Sequence, residues 1–594
     1  MYFSDEELVV VSATRSLQSI TRVAENIEII TSKDIELMNA HTLPEVLNRV
    51  NGVQIQFDGP NFGSVSFPLI QAAQVNHVVV LIDGVVANNL GAGIADLITV
   101  FPVQAIAKIE IIKGPASSAW GSALGGVINI ITKNGESSRA VNGTISGSYG
   151  ERSSADYRAE VYGTKGNLSY YLFAGDLRTD GLRRNFDVLT DRFFSRFSYE
   201  VVPGTSLMFN LYYDRVRRGE GDDLASDLLF SDRGQHLVSS LSLQSRLNRE
   251  LTMDISLHTF QAIYKSYLNQ LSDGKELSLG KSEEPTTGGN AKLTWLHDIH
   301  SVVAGFDYDR STYKADAILN GEQSRTKWGG FINDTIVLGK FAITPGVRYD
   351  DTTTIGSFVS PSLGATYQAT EDLLLRATIA RGFSAPLLFE IWGDSSFFKS
   401  NPGLKVEKVW SYQAGVETTA VPHLWLKLSA FRHDVRDALE DMQLTDSAFS
   451  FTKVNLGKVR RQGLEAEVRT TPVYNTSFFG GVTFVDSKDM VTGEKLRFDT
   501  PRYTFNAGLK YDDGKSLRAF LAGHYIWWNE EDFRNAKYNA MIVDLSVTKT
   551  IHRIIDQSCD LFVTGHNLFN GSQYVRDYYP NAGRWLEAGV RYKF

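Results

Sequence analysis

Cysteine is almost absent from this sequence: the 594 residues include only one, Cys559. A single cysteine cannot form an internal disulfide, so the chain is not a disulfide-stabilised scaffold, and we expect Cys559 to be a small residue within a strand. Positive charge is not in excess either, because 60 Lys and Arg stand against 68 Asp and Glu. This balance argues against a protein that binds nucleic acid, which would carry a basic face.

Long apolar segments are also missing. No run reaches the roughly 18 residues that a membrane-spanning helix needs. The most apolar runs, HVVVLIDGVV and GGVINIIT, are short and typical of strands. A closed β-barrel crosses a bilayer without such runs, so a membrane location stays open. The chain start, MYFSDEEL, is acidic and polar, so export would require a signal peptide that has been removed or replaced.

Catalytic motifs are the third absence. The segment KGPASSAWGSALGG is rich in glycine, but it lacks the Gly-Lys-Ser/Thr ending of a phosphate loop and no helical pattern follows it. The segment LGAGIAD lacks the βαβ context of a dinucleotide site. No Ser-His-Asp, Cys-His or HExxH arrangement is present. We therefore expect no enzymatic activity.

The first part of the chain, to about residue 138, has a mixed α and β pattern. The segments TSKDIELM and HTLPEVLNRVNGV have capping-box spacing at Thr31 and Thr42, which predicts two helix starts. Apolar residues then recur at helical spacing from Leu43 to Val50, and Gly52 is placed to end that helix. Strand-like segments follow: HVVVLIDG, AIAKIEIIKG and GGVINIITK.

After about residue 139 the pattern changes to alternating segments of about ten residues. In WLEAGVRYKF, at the chain end, apolar and charged residues take opposite faces, and SLMFNLYYDRVR and DRFFSRFSYE show the same alternation. Short connections such as TKGN and VPGT alternate with long ones. This pattern predicts a barrel of about 22 strands with an apolar outside and a polar inside. The alternative is a large soluble β-protein, either a propeller or a sandwich array. A propeller would repeat about every 40–50 residues, and no such repeat is present. Soluble sheets bury their apolar face against another layer rather than keeping one face apolar in every strand.

Several segments resemble the TonB-dependent outer-membrane receptors. The segments TLPEVLNRVNGVQI, VVVLIDGVVANN and VQAIAKIEIIKGPASSAWGSALGGVINIITK resemble that family's N-terminal domain, and ARGFSAPLLFEIW, NPGLKVEKVWSYQAGVE, RRQGLEAEVRTT and TGHNLFN resemble later parts. The resemblance implies a transmembrane β-barrel of about 22 antiparallel strands with an N-terminal α+β plug domain inside it. The expected divisions are a docking segment at 1–14, the plug at 15–138 and the barrel at 139–594.

The resemblance also implies a function and a location. It predicts active uptake of a scarce nutrient across the bacterial outer membrane, with outer-membrane lipid around the barrel and no nucleic-acid partner. The energy would come from an inner-membrane complex that acts through the periplasmic C-terminal domain of TonB. A passive porin is the alternative class, but it would need neither a plug nor a docking segment.

The stretch EELVVVSAT, near the chain start, has the composition of a strand without an obvious partner. It lies where the family carries its TonB box. A short flexible strand with unpaired backbone groups is suited to β-augmentation, in which it joins the sheet edge of the TonB domain. An ordinary plug strand is the alternative interpretation. The predicted docking residues are Glu7, Leu8, Val9, Val10, Val11, Ser12 and Ala13.

A plug–barrel contact is expected at two barrel glutamates. Glu465 and Glu467, in GLEAE, are two residues apart and therefore share a face of their strand. Family plugs often carry an arginine before the LIDG strand, whereas PLIQAAQVNHVVVLIDG has none. The remaining plug cation would be Lys113, so we expect a weaker ionic contact than in typical members.

Acidic external loops bear on the cargo. Oxygen-rich clusters suit calcium, and the resemblance to the cobalamin branch of the family, whose loops calcium orders, suggests a calcium site here. Interleaved arginines could instead neutralise these acids without a metal. The candidate ligands are Asp180, Asp187, Asp222 and Asp223.

The predicted substrate is cobalamin or a related corrinoid, bound at the plug apices and one external loop. Asparagines at the apices could hydrogen-bond a corrin's amide groups. A ferric siderophore and haem are the alternatives; the absence of histidine between Leu387 and Ser400 lowers the case for haem, and we expect His41 and His77 to be structural. The candidate substrate residues are Asn61, Phe62, Asn88, Asn89 and Trp392.

Overall fold

The computed structural model shows a closed β-barrel around an N-terminal domain. It describes residues 4, 7–60, 62–89, 91, 96–395, 398–444, 450–496, 500–528, 540–554, 557–573 and 581–594. None of the helices in these ranges is long and apolar enough to cross a bilayer.

The N-terminal domain, called the plug below, is a small α+β unit. Its first helix starts as the capping-box spacing predicts, because Thr31 Oγ1 accepts from the Asp34 backbone N–H while the Asp34 carboxylate accepts from the Thr31 N–H. The described elements are β1 (Val9–Val10), β2 (Gln18–Ser19), β3 (Asn26–Thr31), α1 (Ser32–Met38), α2 (Leu43–Leu47), β4 (Val53–Phe57), β5 (Ser66–Ile70), β6 (Val78–Ile82), β7 (Val85–Val86), α3 (Leu97–Val100), β8 (Ile106–Lys113), α4 (Ser117–Trp120) and β9 (Gly126–Thr132).

Three sheets organise the plug. The main sheet has the strand order β3-β8-β9-β6-β7, while β4 pairs with β5 and β1 pairs with β2. Register is set by buried apolar residues: Ile27 lies opposite Ile112, and Val79 lies opposite Val127. Helix α2 ends at Leu47, earlier than the apolar spacing predicts, and the turn that follows places Gly52 at φ +72°.

The barrel closes when the last strand pairs with the first, with Ile145 opposite Tyr592. Twenty-two antiparallel strands form it, which confirms the predicted count, and β23 is a two-residue strand in a long connection that pairs with β26. The bounds are β10 (Asn142–Gly150), β11 (Ala155–Lys165), β12 (Leu168–Thr179), β13 (Val188–Val202), β14 (Thr205–Asp223), β15 (Leu228–Arg246), β16 (Leu251–Gln270), β17 (Glu276–His297), β18 (His300–Ala315), β19 (Glu322–Leu338), β20 (Phe341–Thr352), β21 (Gly356–Thr370), β22 (Leu373–Ser384), α5 (Leu388–Trp392), β23 (Phe398–Lys399), β24 (Glu407–Thr418), β25 (Leu424–Gln443), β26 (Phe451–Thr470), β27 (Thr476–Asp489), β28 (Pro501–Asp512), β29 (Leu517–Trp528), β30 (Ile542–Ile554), β31 (Gln557–His566) and β32 (Trp585–Lys593).

The strands alternate as expected between an apolar outside and a polar inside. In β32, Leu586 is 50% exposed on the outer face, while the next residue, Glu587, is 3% exposed against the plug. The plug therefore packs on a polar lumen, and lipid contacts the outer face.

The wall of the barrel is uneven in height. Strands β14 to β17 contain 19–22 residues each, whereas β10 and β32 contain 9. A tilted strand needs about 9–11 residues to cross a bilayer, so the long strands continue well beyond the membrane. The barrel is therefore tall at β14 to β17 and again at β25 and β26, which contain 20 residues each, and low where the chain closes.

Candidate functional site

The docking segment is paired in this conformation. Val9 lies opposite Ser19 and Val10 lies opposite Gln18, so β1 already has a partner strand. Val10 is fully buried in a cluster with Val23 and other plug residues, whereas Leu8 and Val9 are 37% and 38% exposed. The expectation of an unpaired strand is therefore wrong for this conformation, because the plug supplies its partner from a few residues downstream.

Side chains of the plug bind the backbone that follows β1. The Glu110 carboxylate accepts from the N–H groups of Val11 at 2.9 Å and Ser12 at 2.8 Å. Trp120 donates its indole N–H to the Ser12 carbonyl at 2.7 Å, and Lys108 donates to the Val9 carbonyl at 2.7 Å. A partner that adds a strand here must compete with these bonds.

An ion pair joins the docking segment to the barrel. Arg469, near the end of β26, lies 2.8 Å from the Glu7 carboxylate and 2.5 Å from that of Glu28. The connection that follows β26 is short, and short connections mark the periplasmic end of such barrels. The docking segment therefore sits at the periplasmic end, beside a cavity of about 1170 Å³ between plug and barrel that Val9 helps to line.

The three residues expected at the plug–barrel contact lie next to the ion pairs of Arg469. Lys113 is fully buried, and its Nζ lies 3.3 Å from Glu465 and 3.0 Å from Glu467. Burial alone would lower the pKa of Lys113, but the carboxylates of Glu465 and Glu467 outweigh it and raise that pKa above its ordinary value. The structure thus brings these three residues together with Lys113 charged.

Further members of this cluster were missed from the sequence. Glu28 lies 3.7 Å from Lys113, and Lys427 lies 3.7 Å from Glu467. Burial, together with the Glu467 carboxylate, raises the pKa of Glu28 above its ordinary value. We call the whole set the charge network; it comprises Glu7, Glu28, Lys113, Lys427, Glu465, Glu467 and Arg469.

Ion pairs hold the plug at other places too. Arg15 lies 2.8 Å from Asp307 of the barrel, and the plug acid Asp96 lies 2.7 Å from Arg218. Glu36 accepts from Lys593 at 2.7 Å. The count of a single plug cation therefore understates the contact, because a second plug cation, Arg15, and the plug carboxylates Asp96 and Glu36 also pair with the barrel.

The predicted plug-apex residues have structural partners. Phe62 is 2% exposed and packs edge-to-face on Trp585, with 5.4 Å between ring centroids. Asn88 accepts from the Val80 N–H at 2.7 Å and donates to the Val78 carbonyl, so it holds the turn after β6. Asn89 is buried and donates to the Tyr264 hydroxyl at 3.1 Å, whereas Asn61 lies outside the described residues. Each of the three described residues thus has a partner within the protein, and their contact with a ligand stays a prediction.

The external loop that carries α5 folds onto the plug apex. The Phe389 N–H donates to the Gly91 carbonyl at 3.1 Å, and the Gly91 N–H donates to the Glu284 carboxylate at 3.1 Å. Trp392 packs with buried Leu388 and Ile391 within this loop. Trp392 therefore supports the loop itself, and the loop covers the apex.

The four candidate calcium ligands do not form a group in the described part of the chain. Asp222 lies 2.9 Å from the Arg184 guanidinium, and Asp223 accepts from the N–H of Ala225 in its own turn. Asp180 and Asp187 are exposed. The pair of Asp222 with Arg184 is of the kind expected if arginines neutralise these acids, and a calcium site stays a prediction.

Among the residues that the structure describes, one group has the spacing to hold a metal. Ligand atoms of His41, His566 and Glu587 lie within 4.8 Å of one another. Hydrogen bonds already use His41, which lies 2.7 Å from Glu587 and 2.9 Å from Asp156. Burial alone would lower the pKa of His41, but Glu587 and Asp156 raise it to about 10. His41 is thus a buried imidazolium that bridges plug and barrel, in the structural role expected for it.

A small cavity lies between the plug and the outer halves of β29 to β32. Its volume is about 120 Å³. Aromatic and polar side chains line it, among them Phe57, His524, Trp528, Asn567 and Trp585. Pockets for drug-sized ligands measure about 300–1,000 Å³, so this cavity is smaller than such a pocket.

A plug held by buried ion pairs inside a closed barrel of 22 antiparallel strands with an apolar outer face is the architecture of a plugged outer-membrane barrel. The family model described as TonB dependent receptor-like, beta-barrel matches residues 134–594, and the model of the TonB-dependent Receptor Plug Domain matches residues 19–127. The chain therefore belongs to the TonB-dependent receptor family, whose members bind TonB and a small-molecule ligand.

Solved structures share this fold at low sequence identity. A mutant of the ferric enterobactin receptor PfeA from Pseudomonas aeruginosa, in complex with enterobactin, is 19% identical with a TM-score of 0.77 and covers 96% of this chain and 100% of its own. The siderophore receptor PirA from Acinetobacter baumannii is 16% identical with a TM-score of 0.77, covering 96% and 98%. FpvA of P. aeruginosa, bound to heterologous pyoverdines, is 14% identical with a TM-score of 0.81, covering 100% and 90%.

Proposed function

We propose that this receptor imports a ferric siderophore, and that TonB drives the import by pulling on the docking segment. The observation that carries the energised step is the ion-pair path from Glu7 through Arg469 and Glu28 to Lys113. A pull on the segment acts first on Glu7. The path then leads to the buried contact that holds the plug in the barrel.

The charge balance of this network favours stepwise release. Four carboxylates and three cations make up the network while Glu7 is docked. When Glu7 leaves, three carboxylates remain with three cations, and the contact around Lys113 stays balanced. Withdrawal of the docking segment is thus the easy step, and displacement of the plug needs further force.

The cargo assignment differs from the corrinoid expected from the sequence. The features that favoured a corrinoid were acids able to gather around calcium and asparagines open at the plug apices. In the structure Asp222 pairs with Arg184, and Asn88 and Asn89 have plug and barrel partners. Solved neighbours of this fold, in contrast, are described as receptors for ferric enterobactin, for siderophores and for pyoverdines, which supports a siderophore.

A titration of the purified protein separates these cargoes. Trp528 and Trp585 line the cavity below the external loops, so their fluorescence should be quenched when a ligand enters. The ligands to compare are ferric enterobactin, a ferric pyoverdine and cyanocobalamin, each with and without calcium. We expect saturable quenching by a ferric siderophore that does not depend on calcium. Saturable quenching by cyanocobalamin alone would overturn the siderophore assignment. A strict requirement for calcium would support the calcium site predicted at the acidic external loops.

An uptake assay tests the energised step by itself. Cells that carry the receptor should accumulate the ligand that binds in titration, and accumulation should cease when TonB is deleted. Removal of residues 1–14 should have the same effect while binding persists. Uptake that continues in either strain would refute energised transport whatever the cargo is.

A further inference from the structure

Two cavities lie on the same side of the plug, one above the other. The outer cavity, of about 120 Å³, is bordered by β29 to β32. The periplasmic cavity, of about 1170 Å³, is bordered by β10 to β13 and by β28, β29 and β32. Ala40 of the plug lines both cavities. A single stretch of plug backbone therefore separates them.

Two further gaps between plug and barrel are much smaller. One, of about 150 Å³, lies beside β26 to β29, and another, of about 10 Å³, lies beside β22, β24 and β25. A pocket for a drug-sized ligand measures about 300–1,000 Å³. Of these four spaces, only the periplasmic cavity already has that volume, so the least plug has to move on its side of the barrel.

The stretch between the two cavities is residues 32–40, which we call the gate segment. It consists of α1 and the two residues after it, and within α1 only Ile35 is buried. In the main plug sheet, by contrast, six of the eight residues of β8 are buried. Segments with few buried apolar contacts open at lower free energy than core strands do. The gate segment is therefore able to open before the sheet does.

Carboxylates attach the gate segment to cations of the barrel wall. Asp34 lies 2.5 Å from Lys510 of β28. Glu36 lies 3.0 Å from Arg518 of β29 and 2.7 Å from Lys593 of β32. The side chains of Glu36 and Lys593 are 30% and 37% exposed, and ion pairs as exposed as this contribute little to stability. Because Arg518 and Lys593 line the periplasmic cavity, a gate segment that moves away leaves their positive charge open to it.

The two ends of the gate segment are held more firmly. After it, His41 lies 2.9 Å from Asp156 of β11 and 2.7 Å from Glu587 of β32, and all three side chains are 1% exposed. Before it comes β3, a strand of the main plug sheet. Glu28, which pairs with Arg469 in the charge network, belongs to β3, so a pull that reaches Glu28 acts next on α1. Residues 32–40 are thus fixed at both ends and loosely attached between them.

We propose that the cargo crosses the barrel between the gate segment and strands β29 to β32, and leaves through the periplasmic cavity. This inference rests on the proposed function and deepens it, because the uncovered cations of the wall suit an anionic ferric complex. The far side of the plug, where α4 packs against β22, keeps its place. Import then requires the local opening of residues 32–40 and not the departure of the whole plug.

Crosslinks that fix one side of the plug at a time test this path. In a Cys559→Ser background, N39C/S546C ties the gate segment to β30, since the Asn39 amide donates to the Ser546 hydroxyl at 2.5 Å. The matched control, S117C/G382C, ties α4 to β22, where a Cβ at position 382 would lie 2.7 Å from Ser117 Oγ. Each pair is closed by oxidation or by a short bifunctional thiol reagent, and mass spectrometry confirms the crosslink.

Uptake is then measured in cells before and after reduction of the crosslink. The probe is whichever of ferric enterobactin, a ferric pyoverdine and cyanocobalamin the wild type imports. Crosslinked N39C/S546C should lose uptake and regain it on reduction, whereas S117C/G382C should import in both states. Loss of uptake in both crosslinked variants would mean that the whole plug moves, and uptake by crosslinked N39C/S546C would place the path elsewhere. Either result overturns the proposal.

Hydrogen exchange tests the gate segment without any cargo. In full-length protein in detergent, the amides of α1 should begin to exchange at a lower urea concentration than those of β8. Exchange of both at the same urea concentration would overturn the proposal, because the gate segment would then open only with the whole plug. Early exchange of α1 in a wild type that imports none of the probes would support the gate segment and count against the proposed function alone.

Discussion

Replacing Arg469 with glutamine should release the docking segment from the plug. Arg469 is the one cation of the charge network that contacts Glu7, at 2.8 Å, and it also contacts Glu28 at 2.5 Å. Glutamine keeps most of the side-chain length but removes the charge. Four carboxylates would then remain with the two lysines of the network.

The size of the effect follows from the bonds that are lost. A hydrogen bond to a charged group contributes about 1.5–3 kcal/mol, and the lower value applies to Glu7 because the Arg469 side chain is 25% exposed. A loss of about 1.5 kcal/mol shifts the ratio of docked to released segment roughly tenfold. Glu28 keeps Lys113 at 3.7 Å and, with its pKa already raised, should respond by taking up a proton.

Electron paramagnetic resonance can measure this ratio. Leu8 is 37% exposed, so a cysteine there can carry a nitroxide label once Cys559 is replaced by serine. In the wild-type background the label should be mainly immobile. In Arg469→Gln the ratio of mobile to immobile signal should rise about tenfold.

A matched substitution separates this effect from a general loss of charge. Arg432→Gln removes a barrel arginine that pairs with Asp434 on the outer face. The charge network that contacts the docking segment does not include Arg432. It should leave the label immobile. If Arg469→Gln gives the same spectrum as Arg432→Gln, Arg469 does not retain the segment and the proposed path is refuted.

Three further predictions concern the charge network and the plug. Glu7→Gln should release the docking segment and so make the label at position 8 mobile. It should leave the free energy of unfolding of the plug in urea unchanged, because three carboxylates then remain with the three cations of the charge network. A large loss of stability would contradict this balance. The pKa of His41 is raised to about 10, so the stability that its charged form gives the folded protein is complete below pH 6.5 and is lost as the pH rises through 10. The melting temperature of the wild type should therefore fall between these pH values. The melting temperature of His41→Gln should not fall in this way. Gly52 has φ +72°, and the Cβ of Gly52→Ala would collide with the Glu465 carboxylate, whereas the Cβ of Gly84→Ala, at φ +83°, meets nothing within 4 Å. In urea unfolding of the plug, Gly84→Ala should lower the free energy of unfolding by about 1–2 kcal/mol. Gly52→Ala should lower it clearly more.

The barrel could be predicted because its signal is local. Alternation along one strand is enough to assign Leu586 to the lipid-facing side and Glu587 to the lumen. The structure confirms both assignments, because Leu586 is exposed on the outer face and Glu587 is buried inside. The start of α1 was predictable for the same reason, since Thr31 and Asp34 are three residues apart. Counting the connections then gave the number of strands without any knowledge of their register.

The contacts of the docking segment could not be predicted, because they join distant parts of the chain. Glu110 binds the backbone of Ser12 across 98 residues, and Arg469 binds Glu7 across 462. Charged residues occur in nearly every barrel strand, and only the position of the plug selects Arg469 among them. The burial of the apex residue Phe62 could not be predicted for a related reason: the loops around it have no periodicity from which their path could be derived.

The structure gives the docking segment two kinds of attachment with different consequences. Its backbone is bound by Glu110, Trp120 and Lys108, all of which belong to the plug, so breaking those bonds leaves the plug–barrel interface intact. Its ion pair to the barrel runs through Glu7, and removal of Glu7 leaves Lys113 with balancing carboxylates. On the proposed mechanism, a partner strand that displaces the segment therefore leaves the buried ion pairs in place to hold the plug. We expect a bound partner that does not pull to leave the channel closed.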